Sequence, residues 1–68
     1  MADKLGYTKT NYYTPRGQPV FTNGKYFISQ DVDSHTGGVW KMATTVKGLN
    51  SKKTRLGTYD ADLNWIAP

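Results

Sequence analysis

The chain has 68 residues, enough for one small domain with one modest core. It has no cysteine, which excludes disulfides and thiolate metal sites and leaves the redox compartment open. No apolar run approaches the roughly 20 residues of a membrane span, so no membrane partner is expected, and no signal peptide is expected at the start. The net charge is +4, with nine Lys or Arg against five acids, all of them Asp, and the chain has five Tyr and two Trp. That balance points to a polyanion, either nucleic acid or an acidic protein, although many soluble domains carry as much charge.

Residues 1–18 are polar and rich in Tyr, Thr and Gly, and are read as an N-terminal arm with little regular structure beyond a short helix. From residue 19 to 68 the chain reads as one β domain. Pro19-Val-Phe-Thr22 and Lys25-Tyr-Phe-Ile-Ser-Gln-Asp31 flank Asn23-Gly24. Asn-Gly between apolar runs predicts a type I′ hairpin turn, which needs φ > 0 at both central residues. Gly38-Val-Trp-Lys-Met-Ala-Thr-Thr45 is the next strand, and Lys47-Gly-Leu-Asn-Ser-Lys-Lys53 a polar loop. Thr54-Arg-Leu-Gly-Thr-Tyr59, a turn at Asp60-Ala-Asp62 and Leu63-Asn-Trp-Ile66 complete the pattern. No segment keeps a 3.6-residue period, and β-branched and aromatic residues dominate. The expected fold is mainly β: a small twisted antiparallel meander of four to five strands.

The most concentrated chemistry lies in Asp31-Val-Asp-Ser-His-Thr-Gly-Gly-Val-Trp-Lys41, which holds two acids, the only histidine and a lysine. Strand alternation puts Tyr26, Ile28 and Val32 on one face and Phe27, Ser29, Asp31 and Asp33 on the other. A three-residue loop His35-Thr36-Gly37, with Gly in the left-handed third position, would set Asp33 opposite Val39, Val32 opposite Trp40 and Asp31 opposite Lys41. The apolar set then forms a core face, and Asp31, Asp33 and Lys41 gather on the other, with His35 at the tip. Plainer readings exist for each residue. Asp opposite Lys is a routine cross-strand pair, and a lone loop histidine is commonly a solvated polar residue. A calcium loop does not fit, because Gly falls at the seventh loop position and Met42 stands where the bidentate Glu belongs. Zinc would need more than one His in a chain without thiols. No metal or other cofactor is expected.

Cutting RNA without a metal takes a base for the ribose 2′-OH, an acid for the departing 5′ oxygen and a cation for the phosphorane. His35 titrates near neutrality and can take either proton role. Asp31 or Asp33 can be its partner or a base in its own right, and Lys41 can hold the phosphate. Lys47, Lys52, Lys53 and Arg55, with Lys25 as a further candidate, read as RNA phosphate contacts or as an ordinary solvated loop. Trp40 reads as core rather than a stacking platform, and Asp60 and Asp62 as turn formers.

Asp33-Ser-His-Thr-Gly-Gly, followed by Arg55-Leu-Gly-Thr-Tyr-Asp60, resembles the nuclease domain of ribosome-inactivating colicins. The Asp-x-Asp-Ser-His run is more similar still to the C-terminal toxin domains of contact-dependent inhibition proteins, the polymorphic-toxin group called novel toxin 21. The likeness covers roughly residues 19–66. The chain departs from the colicin motif in its Asp-to-His spacing and in having no Glu where the colicins have a catalytic one. The resemblance implies a metal-free ribonuclease that cuts 16S ribosomal RNA in the decoding region of the 30S subunit, with Asp31, Asp33, His35 and Lys41 as catalytic residues. It also implies delivery from the producer's surface into the cytoplasm of neighbouring bacteria, and a cognate immunity protein. Some related domains attack transfer RNA instead. Two other classes fit the composition: a non-catalytic nucleic-acid-binding β-barrel, and an interaction module whose basic face meets an acidic protein.

Overall fold

Thr, Tyr, Val, Phe and Ile favour a pleated, half-buried backbone, and they supply most of six short strands. A computed structural model describes residues 2–31, 39–51 and 53–67. The strands are β1 (Thr8–Tyr13), β2 (Pro19–Thr22), β3 (Phe27–Gln30), β4 (Trp40–Ala43), β5 (Gly57–Tyr59) and β6 (Trp65–Ala67). They form one antiparallel sheet in the order of the chain. Short 3-10 turns at Ala2–Leu5 and Lys47–Asn50 are its only helical elements among the described residues. The expected mainly β antiparallel meander is what forms.

The sixth strand comes from the stretch read as an unstructured arm. Thr8-Lys-Thr-Asn-Tyr-Tyr13 lacks an apolar face, since it lies on the sheet's edge with five of its six residues exposed. Only its backbone pairing and β-favouring composition identify it. Its partner is β2, with Thr8 opposite Thr22, Lys9 opposite Phe21 and, after a bulge, Tyr13 opposite Pro19. The connection is a three-residue hairpin loop, Pro15-Arg16-Gly17. Pro15 presets the first position and Gly17 takes the left-handed third, at φ 82°. Thr14 ties it together: its N–H donates to the Gln18 carbonyl, its carbonyl accepts from Gly17, and its hydroxyl accepts from the Gln18 N–H.

The β2–β3 hairpin forms where Asn23-Gly24 predicted it, but not as a type I′ turn. Thr22 faces Phe27, so the central pair is Gly24-Lys25, one residue later, and of the two only Gly24 has positive φ, at 95°. The Asn23 carboxamide decides this by accepting the N–H groups of both Lys25 and Tyr26 (2.9 and 2.8 Å).

Each face of the sheet carries a core cluster. On one, Tyr7, Ile28, Trp40 and Met42 are buried, and Phe21 meets the Trp40 ring edge-on at 5.8 Å and 86°. On the other, Val20 and Ala43 are capped by Leu49. Leu49 comes from the 47–53 stretch, read as a simple polar loop; there the Lys47–Asn50 turn folds back over the sheet and leaves Leu49 with no exposed surface.

A meander puts alternate connections at opposite ends. The 14–18 loop, Asp31 and Val39, and the Asp60–Asn64 turn lie at one end. The 23–26 turn and the 44–56 excursion lie at the other. This division matters for the site.

Candidate functional site

The observed register of β3 and β4 sets Phe27 opposite Ala43, Ile28 opposite Met42, Ser29 opposite Lys41 and Gln30 opposite Trp40. Asp31 continues the ladder by donating its N–H to the Val39 carbonyl at 2.9 Å. Asp31 therefore does not face Lys41, as the three-residue loop would require. The pairing is offset by two residues. A slip of two keeps every side chain on its own face, so alternation alone cannot detect it. Pairing on the far side of β4 holds the observed register, with Trp40 opposite Tyr59 and Met42 opposite Gly57.

The grouping on one face survives the slip. Asp31 and Lys41 lie on the same side of the sheet, as diagonal neighbours, and both are half-buried. Diagonal residues of an antiparallel pair sit about 7–8 Å apart, within reach of a long side chain. Lys41 is flanked in its row by two buried hydroxyls, Ser29 on β3 and Thr58 on β5, and the Ser29 hydroxyl has no hydrogen-bond partner among the described residues. Asp33 and His35, and the proposed His35-Thr36-Gly37 loop, lie outside the described residues.

The other basic candidates occupy the opposite end. Lys25 is in the β2–β3 turn, not on the strand, with its ammonium 5.3 Å from the centre of the Tyr26 ring. Six residues of extended chain, about 20 Å, separate it from Asp31. Lys47 opens the 3-10 turn and is exposed; Lys53 is exposed and Arg55 half-buried in the stretch leading to β5. Lys52 lies outside the described residues.

Trp40 is core, only 5% exposed. In the Leu-Gly-x-aromatic-Asp run the glycine, the aromatic and the aspartate prove structural, while Leu56 is exposed. Gly57 has φ 144°, and a Cβ there would run into the Trp65 indole and the Ala67 carbonyl. Tyr59 packs against the Trp40 cluster. Asp60 closes the β5–β6 turn: its carboxylate accepts the N–H groups of Asp62 and Asn64, both at 2.9 Å. These bonds, the Asn64 backbone first, hold its carboxyl below the usual aspartate range. Leu63 takes the left-handed third place of that loop, at φ 62°, and packs against the core in exchange. Burial, and then the neighbouring Tyr26, push the Tyr7 and Tyr59 phenols up.

Sequence reasoning overlooked the β1–β2 hairpin, although Thr-Pro-Arg-Gly is a turn sequence between two Thr/Tyr/Val-rich stretches.

The family model described as Novel toxin 21 matches residues 1–68. This chain belongs to the novel toxin 21 family. Among curated proteins, it is 50% identical over 56 residues to a protein of Enterobacter cloacae named 16S rRNA endonuclease CdiA. That match takes in 79% of the chain but 2% of the relative's length, so the chain corresponds to one small piece of a very long protein. Among solved structures, it is similar to a chain of a CdiA-CT/CdiI toxin and immunity complex from Enterobacter cloacae. The TM-score is 0.66 at 41% identity, covering 98% of this chain and 88% of that one. The novel toxin 21 resemblance read from the Asp-x-Asp-Ser-His run is thereby established over the whole chain, including β1.

Proposed function

We propose that this novel toxin 21 domain is a metal-independent endoribonuclease toxin that cuts 16S ribosomal RNA near the decoding centre and so blocks translation. One observation carries the reading: Asp31 and Lys41 share a face at the end of the sheet from which the chain continues into Asp33 and His35. The naming of the E. cloacae relative as a 16S rRNA endonuclease supports the target.

In the proposed chemistry a ribose 2′ oxygen attacks the adjacent phosphorus. The new P–O2′ bond forms as the P–O5′ bond breaks, leaving a cyclic phosphate and a 5′-hydroxyl. His35 and one of the two aspartates remove and deliver the protons, and Lys41 stabilises the phosphorane. A half-buried ammonium suits that task, because partial exclusion of water strengthens its attraction for the developing charge. Lys25, Lys47, Lys53 and Arg55 add phosphate contacts for RNA extending past the sheet's other end, and Lys52 adds a further one. The domain reaches its target by delivery from the surface of a producing cell into the cytoplasm of a neighbour. The toxin/immunity complex of the structural relative supports a cognate immunity protein that neutralises it in the producer.

The test is incubation with ribosomes in EDTA, followed by RNA electrophoresis and 5′-end mapping. A discrete new fragment of 16S rRNA with a 5′-hydroxyl is expected. Binding without cutting, or cutting abolished by EDTA, would overturn the proposal. Cutting of transfer RNA alone would keep the chemistry and replace the target.

A further inference from the structure

Three polar side chains are buried among the described residues: Thr14, Ser29 and Thr58. Thr14 is accounted for by the loop it ties, where its hydroxyl accepts the Gln18 N–H. Ser29 and Thr58 lie within strands and close no turn. They flank Lys41 instead, with Ser29 opposite it on β3 and Thr58 opposite it on β5. Side chains directly opposite on neighbouring strands have Cβ atoms about 5 Å apart, so the three stand in one line across the sheet, on the face that holds Asp31. The line continues into Val20 beyond Ser29 and Ala67 beyond Thr58, so its hydroxyls stand only beside the lysine.

Ser29 is the sharper case. It has no exposed surface, and its hydroxyl has no hydrogen-bond partner among the described residues. Buried polar groups are bonded in nearly all folded proteins, because an unmade bond costs stability. Alanine would fill the place without that cost, so packing does not explain a serine. A hydroxyl hydrogen rotates, and a serine with no fixed bond turns its oxygen toward the nearest positive charge. Lys41 brings an ammonium with three donors and no acceptor, on a flexible four-carbon stem. Toward one end of the sheet this face is filled by Val20, Ala43 and Leu49, none with exposed surface; toward the other lies Asp31, half-buried. Packing closes the first direction to the ammonium and leaves the second, toward Asp31 and the stretch that continues to Asp33 and His35.

We propose that Ser29 and Thr58 are positioning residues for Lys41: two buried hydroxyl dipoles, one on each side of its stem, hold the ammonium on the line along which it meets the phosphate. This rests on the ribonuclease reading and adds to it the groups that aim its cation. Neither hydroxyl touches RNA, since both side chains are buried. Their effect falls on the transition state. A cation already aimed where negative charge develops needs no reorganisation as the P–O2′ bond forms. Dipoles in the neighbouring places of a row act strongly where water is partly excluded.

Steady-state cleavage of 16S rRNA in intact ribosomes separates rate from binding. Ser29→Ala and Thr58→Val each remove a hydroxyl and nearly keep the volume. Each is expected to lower kcat about 10-fold, the worth of one hydrogen-bonding contact to a charged group, with KM unchanged. Thr58→Ser keeps its hydroxyl and is expected to keep most of kcat. Urea unfolding of Ser29→Ala should show stability equal to or above the parent's, because an unpartnered buried hydroxyl is gone. The reverse, lower stability with unchanged kcat, would make the pair purely structural and overturn the proposal. NMR relaxation at the Lys41 ε-carbon reads the positioning itself with no RNA present, and Ser29→Ala and Thr58→Val are both expected to increase its motion. A Lys41 side chain no more mobile than in the parent, or a loss confined to KM, would also overturn it. The ribonuclease reading fails separately, on ribosomal RNA that stays intact with the unaltered protein; the relaxation measurement would then still decide whether the two hydroxyls hold Lys41.

Discussion

The two ends of this sheet are built from the same hairpin units and do different work. At the end where β4 leaves for β5, a 3-10 turn folds back and caps Val20 and Ala43 with Leu49, so the chain spends its residues on packing. At the other end the polar groups Asp31 and Lys41 stay half-buried on one face, between Arg16 on one flank and Asp60 on the other. A domain this small has little core to spare, and on this face of the sheet Leu49 covers one end while Asp31 and Lys41 stand half-buried toward the other.

That contrast can be broken by substitution. The largest expected effect is on chemistry: His35→Ala should cost about 10²–10⁴-fold in cleavage of 16S rRNA, the range for a positioned acid or base, without moving the thermal midpoint. Single-turnover cleavage and a melting curve on the same sample check both halves, and activity within threefold of the parent would remove His35 from the mechanism. At the packing end the pattern should invert. Leu49→Ala is expected to destabilise the fold by about 2–5 kcal/mol through the cavity it leaves, measured by urea unfolding. Its catalytic rate, taken well below the melting point, should stay near the parent value; a large specific loss there would mean that the two ends are coupled.

Gly57→Ala sharpens the comparison from the sheet's middle. The positive φ and the clash with Trp65 and Ala67 should cost about 1–3 kcal/mol, again by urea unfolding. A neutral result would show that the Leu-Gly-x-aromatic-Asp run has another reason to hold glycine. The smallest effect belongs to Asp60. Its carboxyl is held below the ordinary aspartate value by the bonds to Asn64 and Asp62, so the native state favours the ionised form. Its contribution to stability is then present above the unfolded value of about 3.9 and lost as pH falls through the lower folded value. Asp60→Asn should be less stable than the parent at pH 7, and the gap should close on acidification below about pH 4. A gap that widens in acid would reverse the assignment.

How far these features can be read from sequence differs from element to element. Ile28, Trp40 and Met42 announce their face of the core through alternation, since burial on one face leaves a period of two. Asp60 and the Pro-Arg-Gly turn are equally local, written in side chains that bond their own backbone or fix its φ. The Asp31–Lys41 pairing was harder: parity gives the face, but a two-residue slip leaves parity unchanged, and only the contacts of β4 with β5 set the register. β1 was harder again, because an edge strand exposed on both faces needs no apolar pattern. Lys47, Lys53 and Arg55 read as a basic cluster and Lys25 as a further phosphate contact, and a meander carries these four to the end away from Asp31.

The sequence by itself determined the class of fold, the composition of the core face and the family, because each depends on residue type at short spacing. Tertiary structure alone decided which residues meet: that Lys41 lies diagonal to Asp31 and opposite Ser29, and that Leu49 is a buried cap. Strand register and end-to-end placement follow from the closing of several pairings at once, and no single stretch of chain contains that information.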